Sequence, residues 1–154
     1  MTIADLEGLL RKHDFLKGLS TTQTKLLVGC AKNVHFAEGA YLMREGRQAD
    51  VFYLIRAGRI ALESNVPGRG PVQMEDIGPG DILGLSWLVP PYREHLDARA
   101  VEPILALAFD AKCLRDKLEA DHELGYALIR RVFEHAYRRL VRVRLQRLDV
   151  YGAS

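Results

Sequence analysis

Glycine interrupts the middle of the chain at short intervals, and this spacing limits the possible fold more than any other feature. Residues 51–55 and 59–64 are short apolar runs joined by Arg56, Ala57 and Gly58, which predicts a β-hairpin. Many short strands separated by glycine turns predict a β-sandwich or jelly roll. The glycines of this region are Gly39, Gly46, Gly58, Gly68, Gly70, Gly78, Gly80 and Gly84.

Helical patterns precede this glycine-rich region. A first helix starts near Ile3, with Thr2 or Asp5 as its cap. A second has Ser20 as a good N-cap, with Gln23 three residues later, which is the spacing of a capping box.

A long helix is predicted near the end of the chain, from Asp121 to about Val150, after a short one that starts near Asp110. It carries two apolar stripes, which predict one surface against its own domain and another against a partner. We therefore expect a parallel, two-fold homodimer through residues 124–150. The expected fold class is α+β: one domain over residues 1–154, with N-terminal helices (1–33), a β-roll or jelly roll, that is, a double-stranded β-helix (34–109), and C-terminal helices (110–151).

Several segments of the chain carry a family resemblance through their order and glycine spacing. The order resembles the cyclic-nucleotide-binding domain of the catabolite activator (Crp/Fnr) superfamily. The resemblance implies a sensor whose ligand phosphate meets backbone N–H groups after Gly84. It also implies a long helix that closes over the base and dimerises. The segments are Phe36–Gly39, Leu42, Glu45-Gly46, Tyr53-Leu54-Ile55, Gly58-Arg59-Ile60 and Gly80-Asp81-Ile82-Leu83-Gly84.

The ligand-facing positions depart from the family pattern. Leu85 stands where the family has a glutamate for the ribose 2′-hydroxyl, and Tyr92 or Arg93 falls at the phosphate arginine, followed by Glu94. On the long helix, Val143 and Arg144 replace small hydroxyl residues that touch the base. We therefore expect weak binding of cyclic AMP, because a buried hydroxyl at Leu85 would lack its acceptor.

The predicted pocket is changed rather than lost. A small anion or an altered nucleotide is expected against the N–H groups of Leu85 and Ser86, with Arg93 and protonated His95 as side-chain donors. For Trp87, packing in the core is favoured over roofing the pocket, with Ser86 as an N-cap. The predicted ligand-binding residues are Gly84, Leu85, Ser86, Trp87, Arg93, His95 and Arg144.

The remaining features favour a regulatory protein over an enzyme. No metal-ligand spacing and no nucleophile–base arrangement stand out, and the net charge is only +2. Cys30 and Cys113 are interpreted as buried free thiols of a cytoplasmic protein. Asp97 and Arg99 are expected to form an ion pair.

The only cofactor-like molecule predicted is a cyclic nucleotide or another small anionic ligand. No association with a membrane is predicted. DNA is an unlikely partner, because no helix-turn-helix pattern follows the long helix. The arginines of that helix are interpreted as a solvated, ion-paired face rather than a nucleic-acid surface.

Two functional hypotheses follow. The first is a dimeric sensor that signals to a partner protein. The second is a ligand-free structural or assembly subunit of an enzyme complex, with a degenerate pocket. A positive cavity between Gly84 and Arg93 favours the first, and a pocket filled by Leu85 and Trp87 favours the second.

Overall fold

A computed structural model describes residues 1–152. Two antiparallel sheets form the centre of the chain, and helices precede and follow them, as the α+β prediction requires. Two single 3₁₀ turns lie at Asp14–Leu16 and Ser86–Leu88. The elements are α1 (Ile3–Lys12), α2 (Thr21–Val28), β1 (Ala31–Phe36), β2 (Tyr41–Met43), β3 (Val51–Ala57), β4 (Ile60–Val66), β5 (Gly70–Ile77), β6 (Ile82–Leu83), β7 (Asp97–Ala100), β8 (Ile104–Asp110), α3 (Ala111–Ala120) and α4 (His122–Gly152).

The strands divide into a first sheet, in the order β1-β8-β3-β6, and a second sheet, in the order β2-β7-β4-β5. Strand β3 is apolar on both faces because its alternate residues enter two different cores. Tyr53 and Ile55 pack inside the roll against the second sheet, whereas Phe52 and Leu54 pack against the helices. The first sheet is thus covered on both sides, which explains why β3 has a continuous apolar run in its sequence.

The predicted hairpin at Gly58 is wrong. Strands β3 and β4 follow one another in sequence but belong to different sheets, so the turn between them is a corner of the roll. Gly58 has a φ of +91°, and a Cβ there would lie 2.2 Å from the carbonyl oxygen of Pro103. Only glycine fits this corner, because the neighbouring backbone leaves no space for a side chain.

The helix starts agree with the predicted caps. Thr2 and Asp5 form a capping box on α1, and Ser20 and Gln23 form another on α2. The roll begins and ends close to the predicted boundaries, since β1 starts at Ala31 and β8 ends at Asp110.

The two cysteines are not free thiols, and this prediction is wrong. Cys30 and Cys113 form a disulfide across a sequence separation of 83 residues. Pairing of β1 with β8 sets Ala31 opposite Phe109, so Cys30 lies beside the first turn of α3. Free thiols therefore no longer support the cytoplasmic location, which stays a prediction.

The predicted ion pair between Asp97 and Arg99 is also wrong. Arg99 instead makes a two-pronged contact with Glu63 on β4, with N–O distances of 3.0 and 3.1 Å. Asp97 accepts a hydrogen bond from the N–H of Glu45 and lies 3.5 Å from Arg44. Glu63 lies opposite Asp97 and diagonally across from Arg99 in the pairing of β4 with β7, a separation that a long arginine side chain can span.

None of the helices within residues 1–152 has the length and apolar character needed to cross a membrane. The same residues contain no cluster of three or more His, Cys, Asp or Glu side chains arranged to hold a metal ion.

Candidate ligand-binding site

A cavity of about 270 Å³ lies between the β-roll and α4. Both sheets contribute to its wall, and α4 contributes one side chain. The wall is largely apolar, with a few charged groups set into it. The lining residues are Met43, Leu62, Glu75, Leu83, Gly84, Leu85, Ser86, Glu94, His95, Leu96 and Arg139.

The turn after β6 brings the backbone to the cavity. Gly84 has a φ of +108°, in the region that favours glycine, and leads into the 3₁₀ turn. Within the described chain, the N–H groups of Leu85 and Ser86 donate to no protein atom. Leu85 stands at the rim with its side chain partly exposed, so it does not fill the cavity.

Trp87 lies beneath this turn rather than in the cavity wall. It is fully buried, and its ring centroid lies 5.0 Å from that of Phe52, which confirms the predicted core packing. Ser86 is the first residue of the turn, and Leu85 holds the cap position without a side-chain bond. The predicted N-cap at Ser86 is therefore wrong.

The structure separates the charged residues that the sequence placed together. Arg93 is exposed, donates to the carbonyl oxygen of Gly46 at 3.4 Å and does not line the cavity. Backbone bonds of Glu94 with Gly46 and Arg47 hold this loop, so Arg93 points away from the cavity while Glu94 lines it. His95 also lines the cavity. A carboxyl group, rather than the expected guanidinium, therefore faces the predicted ligand position.

Glu94 is 4% exposed, and its Oε2 has no hydrogen-bond partner among the described residues. Burial raises the pKa of Glu94 to about 7, because the charged form loses its hydration. Glu94 and Met43 also line an adjoining cavity of about 140 Å³.

Arg139 of α4 is the residue that the sequence analysis missed. It is 6% exposed and donates to the carbonyl oxygen of Ile82, while its Nε has no partner in residues 1–152. Burial lowers the pKa of Arg139, and the charges of Glu75 and Asp81 oppose this shift. Its position offered a signal, since Arg139 follows Val132 by seven residues on the buried stripe of α4.

Arg144 lies beyond the last buried residue of α4 and is exposed, so it does not line the cavity. The structure thus brings together four of the seven predicted ligand residues: Gly84, Leu85, Ser86 and His95.

The comparisons with known proteins agree with this fold. Residues 33–121 match the family model described as the cyclic nucleotide-binding domain. The chain belongs to this family. The matched region starts within β1 and ends after α3, so it covers all of the roll except the first two residues of β1, and every cavity residue except Arg139.

A curated protein is similar in sequence over most of this chain. An uncharacterized protein of Mycobacterium tuberculosis is 31% identical over 108 residues, which cover 68% of this chain and 20% of that protein. This chain thus spans about a fifth of the length of the curated relatives it matches first.

Solved structures share the fold over most of this chain. One from Geobacter metallireducens GS-15 has a TM-score of 0.78 at 26% identity and covers 87% of this chain and 97% of that one. The sensor domain of the transcriptional regulator DNR from Pseudomonas aeruginosa has a TM-score of 0.71 at 22% identity, covering 90% and 93%. The second likeness concerns the fold alone.

Proposed function

We propose that this cyclic nucleotide-binding domain acts as a dimeric sensor with a non-standard ligand pocket, and that it signals to a partner protein. The observation that carries this proposal is the double role of α4. Arg139 reaches from this helix into the cavity, and another side of the same helix exposes apolar residues. A ligand in the cavity would contact the element that a second subunit covers.

The exposed side of α4 supports the dimer. Its large apolar residues follow one another at intervals of three, four, seven and three, which is a heptad pattern. The side chain of Tyr126 is 70% exposed and that of Phe133 is 65% exposed, although both are aromatic. Burying this stripe against a second copy removes apolar surface from water. The stripe consists of Tyr126, Ile129, Phe133, Leu140 and Val143.

A second contact links the cavity to the helices. Arg115 of α3 donates to the carbonyl oxygen of Trp87 at 2.7 Å and stacks over the ring of Tyr92 at 4.1 Å. These two contacts join Trp87 and Tyr92 to α3, which packs against α4. This contact supports transmission from the turn after Gly84 to the proposed dimer surface.

Sedimentation velocity tests the dimer. We expect the wild-type chain of 17.4 kDa to sediment as a dimer at micromolar concentration. Phe133→Glu should give monomers, because it places charges inside the apolar seam. Arg138→Glu is the matched control, since it adds the same side chain to α4 away from the stripe, and it should stay dimeric. A monomeric wild-type protein would contradict the proposal.

Native mass spectrometry of protein purified from its own host tests the sensor. The expected result is a dimer with a small-molecule adduct. A ligand-free dimer bound only to a protein partner would favour the structural-subunit hypothesis instead.

A further inference from the structure

Two residues of the cavity wall each carry a buried polar atom that lacks a protein partner. Oε2 of Glu94 accepts no hydrogen bond and Nε of Arg139 donates none, although both residues are more than nine-tenths buried. They do not pair with each other, since no ion pair in residues 1–152 joins them. Buried polar groups in native proteins are nearly always satisfied, so an unpaired donor and an unpaired acceptor on two residues of one cavity wall indicate a missing ligand.

The charges around the cavity disfavour an anion. Glu75 and Glu94 contribute two carboxyl groups, whereas the basic side chains of the wall are the imidazole of His95 and the guanidinium of Arg139, which already donates to Ile82. Arg93, the cation expected to meet a phosphate, lies outside the wall. A phosphate next to Glu94 would meet a like charge, or would require that carboxyl to be protonated.

The remaining side chains of the wall determine how polar the main part of the ligand can be. Leu62, Leu83, Leu85 and Leu96 provide apolar surface. A flat, weakly polar ring system buries favourably against such side chains. The ligand therefore needs an apolar body with one hydrogen-bond donor and one acceptor at separate edges.

We propose that the cavity binds an uncharged nucleoside-like ligand, whose hydroxyl or amino group donates to Glu94 and whose ring nitrogen or carbonyl accepts from Arg139. This inference rests on the proposed function, in that it takes the cavity as the sensor's ligand site. A nucleoside offers hydroxyl donors on its sugar and acceptors on its base edge. It lacks the negative charge of a cyclic nucleotide, and the raised pKa of Glu94 agrees with a neutral occupant.

Isothermal titration with matched pairs tests this preference. Adenosine and guanosine are compared with cyclic AMP and cyclic GMP, which carry the same bases but have an anionic cyclic phosphate in place of the free 3′- and 5′-hydroxyl groups. We expect one nucleoside to bind at least about tenfold more tightly than its cyclic monophosphate. Glu94→Gln should reduce that preference by about tenfold or more, because it removes the carboxylate.

Two further variants give the experiment its controls. Arg93→Gln should leave both affinities unchanged, because Arg93 does not line the cavity. Arg139→Gln should weaken nucleoside binding by about tenfold, and it keeps the test valid if the Glu94 variant does not fold. Circular dichroism checks the fold of each variant.

The outcomes separate this inference from the proposed function. Tighter binding of a cyclic nucleotide than of its nucleoside overturns the inference and leaves the dimeric sensor standing. Failure of both nucleosides to bind overturns the inference as well. The sensor itself fails only if the wild-type protein is monomeric, or if its dimer carries no ligand when purified from its host.

Discussion

Glu94 shows how one buried side chain sets the chemistry of a pocket. Its backbone is bonded on both sides, to Gly46 and to Arg47, so the carboxyl group cannot easily swing out to water. The charged form is then disfavoured, and the pKa rises from 4.5 to about 7. The protonation of Glu94 should therefore appear in the pH dependence of folding.

We expect Glu94→Gln to change that pH dependence. A raised carboxyl pKa means that the folded state binds more protons than the unfolded state between about pH 4.5 and 7. The contribution of Glu94 to the free energy of unfolding therefore falls as pH rises through this window, by roughly 3 kcal/mol at most, and is level above pH 7.

Urea unfolding of both proteins at pH 5 and pH 8 measures this effect. Subtracting the free energy of unfolding of the variant from that of the wild type cancels the contributions of the other titrating groups. The variant should gain stability relative to wild type at pH 8. An equal difference at both pH values would contradict the pKa shift.

At the scale of elements, the corner between β3 and β4 assigns neighbouring strands to opposite sheets. Gly58 has a positive φ, and the backbone of Pro103 covers the place of a side chain. The corner also turns the apolar face of β4 toward the roll interior, where Ile60 and Leu62 are buried. Steric exclusion at this one position thus helps to define the roll.

Gly58→Ala should lower the free energy of unfolding by about 3 kcal/mol or more. The new Cβ would overlap a backbone oxygen, and the alanine would also have to adopt a positive φ. Gly39→Ala is the matched control. Its φ of +88° is nearly the same, but nothing lies within 4 Å of its Cβ position. The control should cost only about 1–2 kcal/mol. Equilibrium urea unfolding of the two variants gives the comparison, and equal losses would show that the contact with Pro103 relaxes freely.

For the whole molecule, the disulfide joins the N-terminal helices to the C-terminal ones. Cys30 follows α2, and Cys113 lies in the first turn of α3, so the bridge closes a loop that contains all eight strands of the roll. α3 also carries Arg115, which contacts the turn beside the cavity. The disulfide therefore fixes the helix that we propose carries the signal.

We expect Cys113→Ser to lower the free energy of unfolding by about 2–5 kcal/mol, because the unfolded chain gains freedom when an 83-residue loop opens. Urea unfolding of the wild type with a reducing agent should match the variant, and the variant itself should not respond to the agent. A wild-type protein that reductant leaves unchanged would contradict this expectation.

Local signals in the sequence were enough to predict several features. Thr2 and Ser20 cap their helices because capping depends only on residues within one turn. The glycine spacing indicated the roll, and the order of its motifs indicated the family. Trp87 was assigned to the core from its size and apolar character.

The tertiary structure decided whatever depends on contacts between distant segments. The pairing of β1 with β8 brings Cys30 and Cys113 together, although 83 residues separate them. The loop bonds at Gly46 and Arg47 turn Glu94 rather than Arg93 toward the cavity, and a one-residue change of that kind reverses the charge of the site. Arg139 reaches the cavity because α4 passes close enough to β6 for its guanidinium to donate to the carbonyl oxygen of Ile82. Which residues line this pocket depends on how separate elements pack together. The periodicity of residues along the chain does not specify that packing.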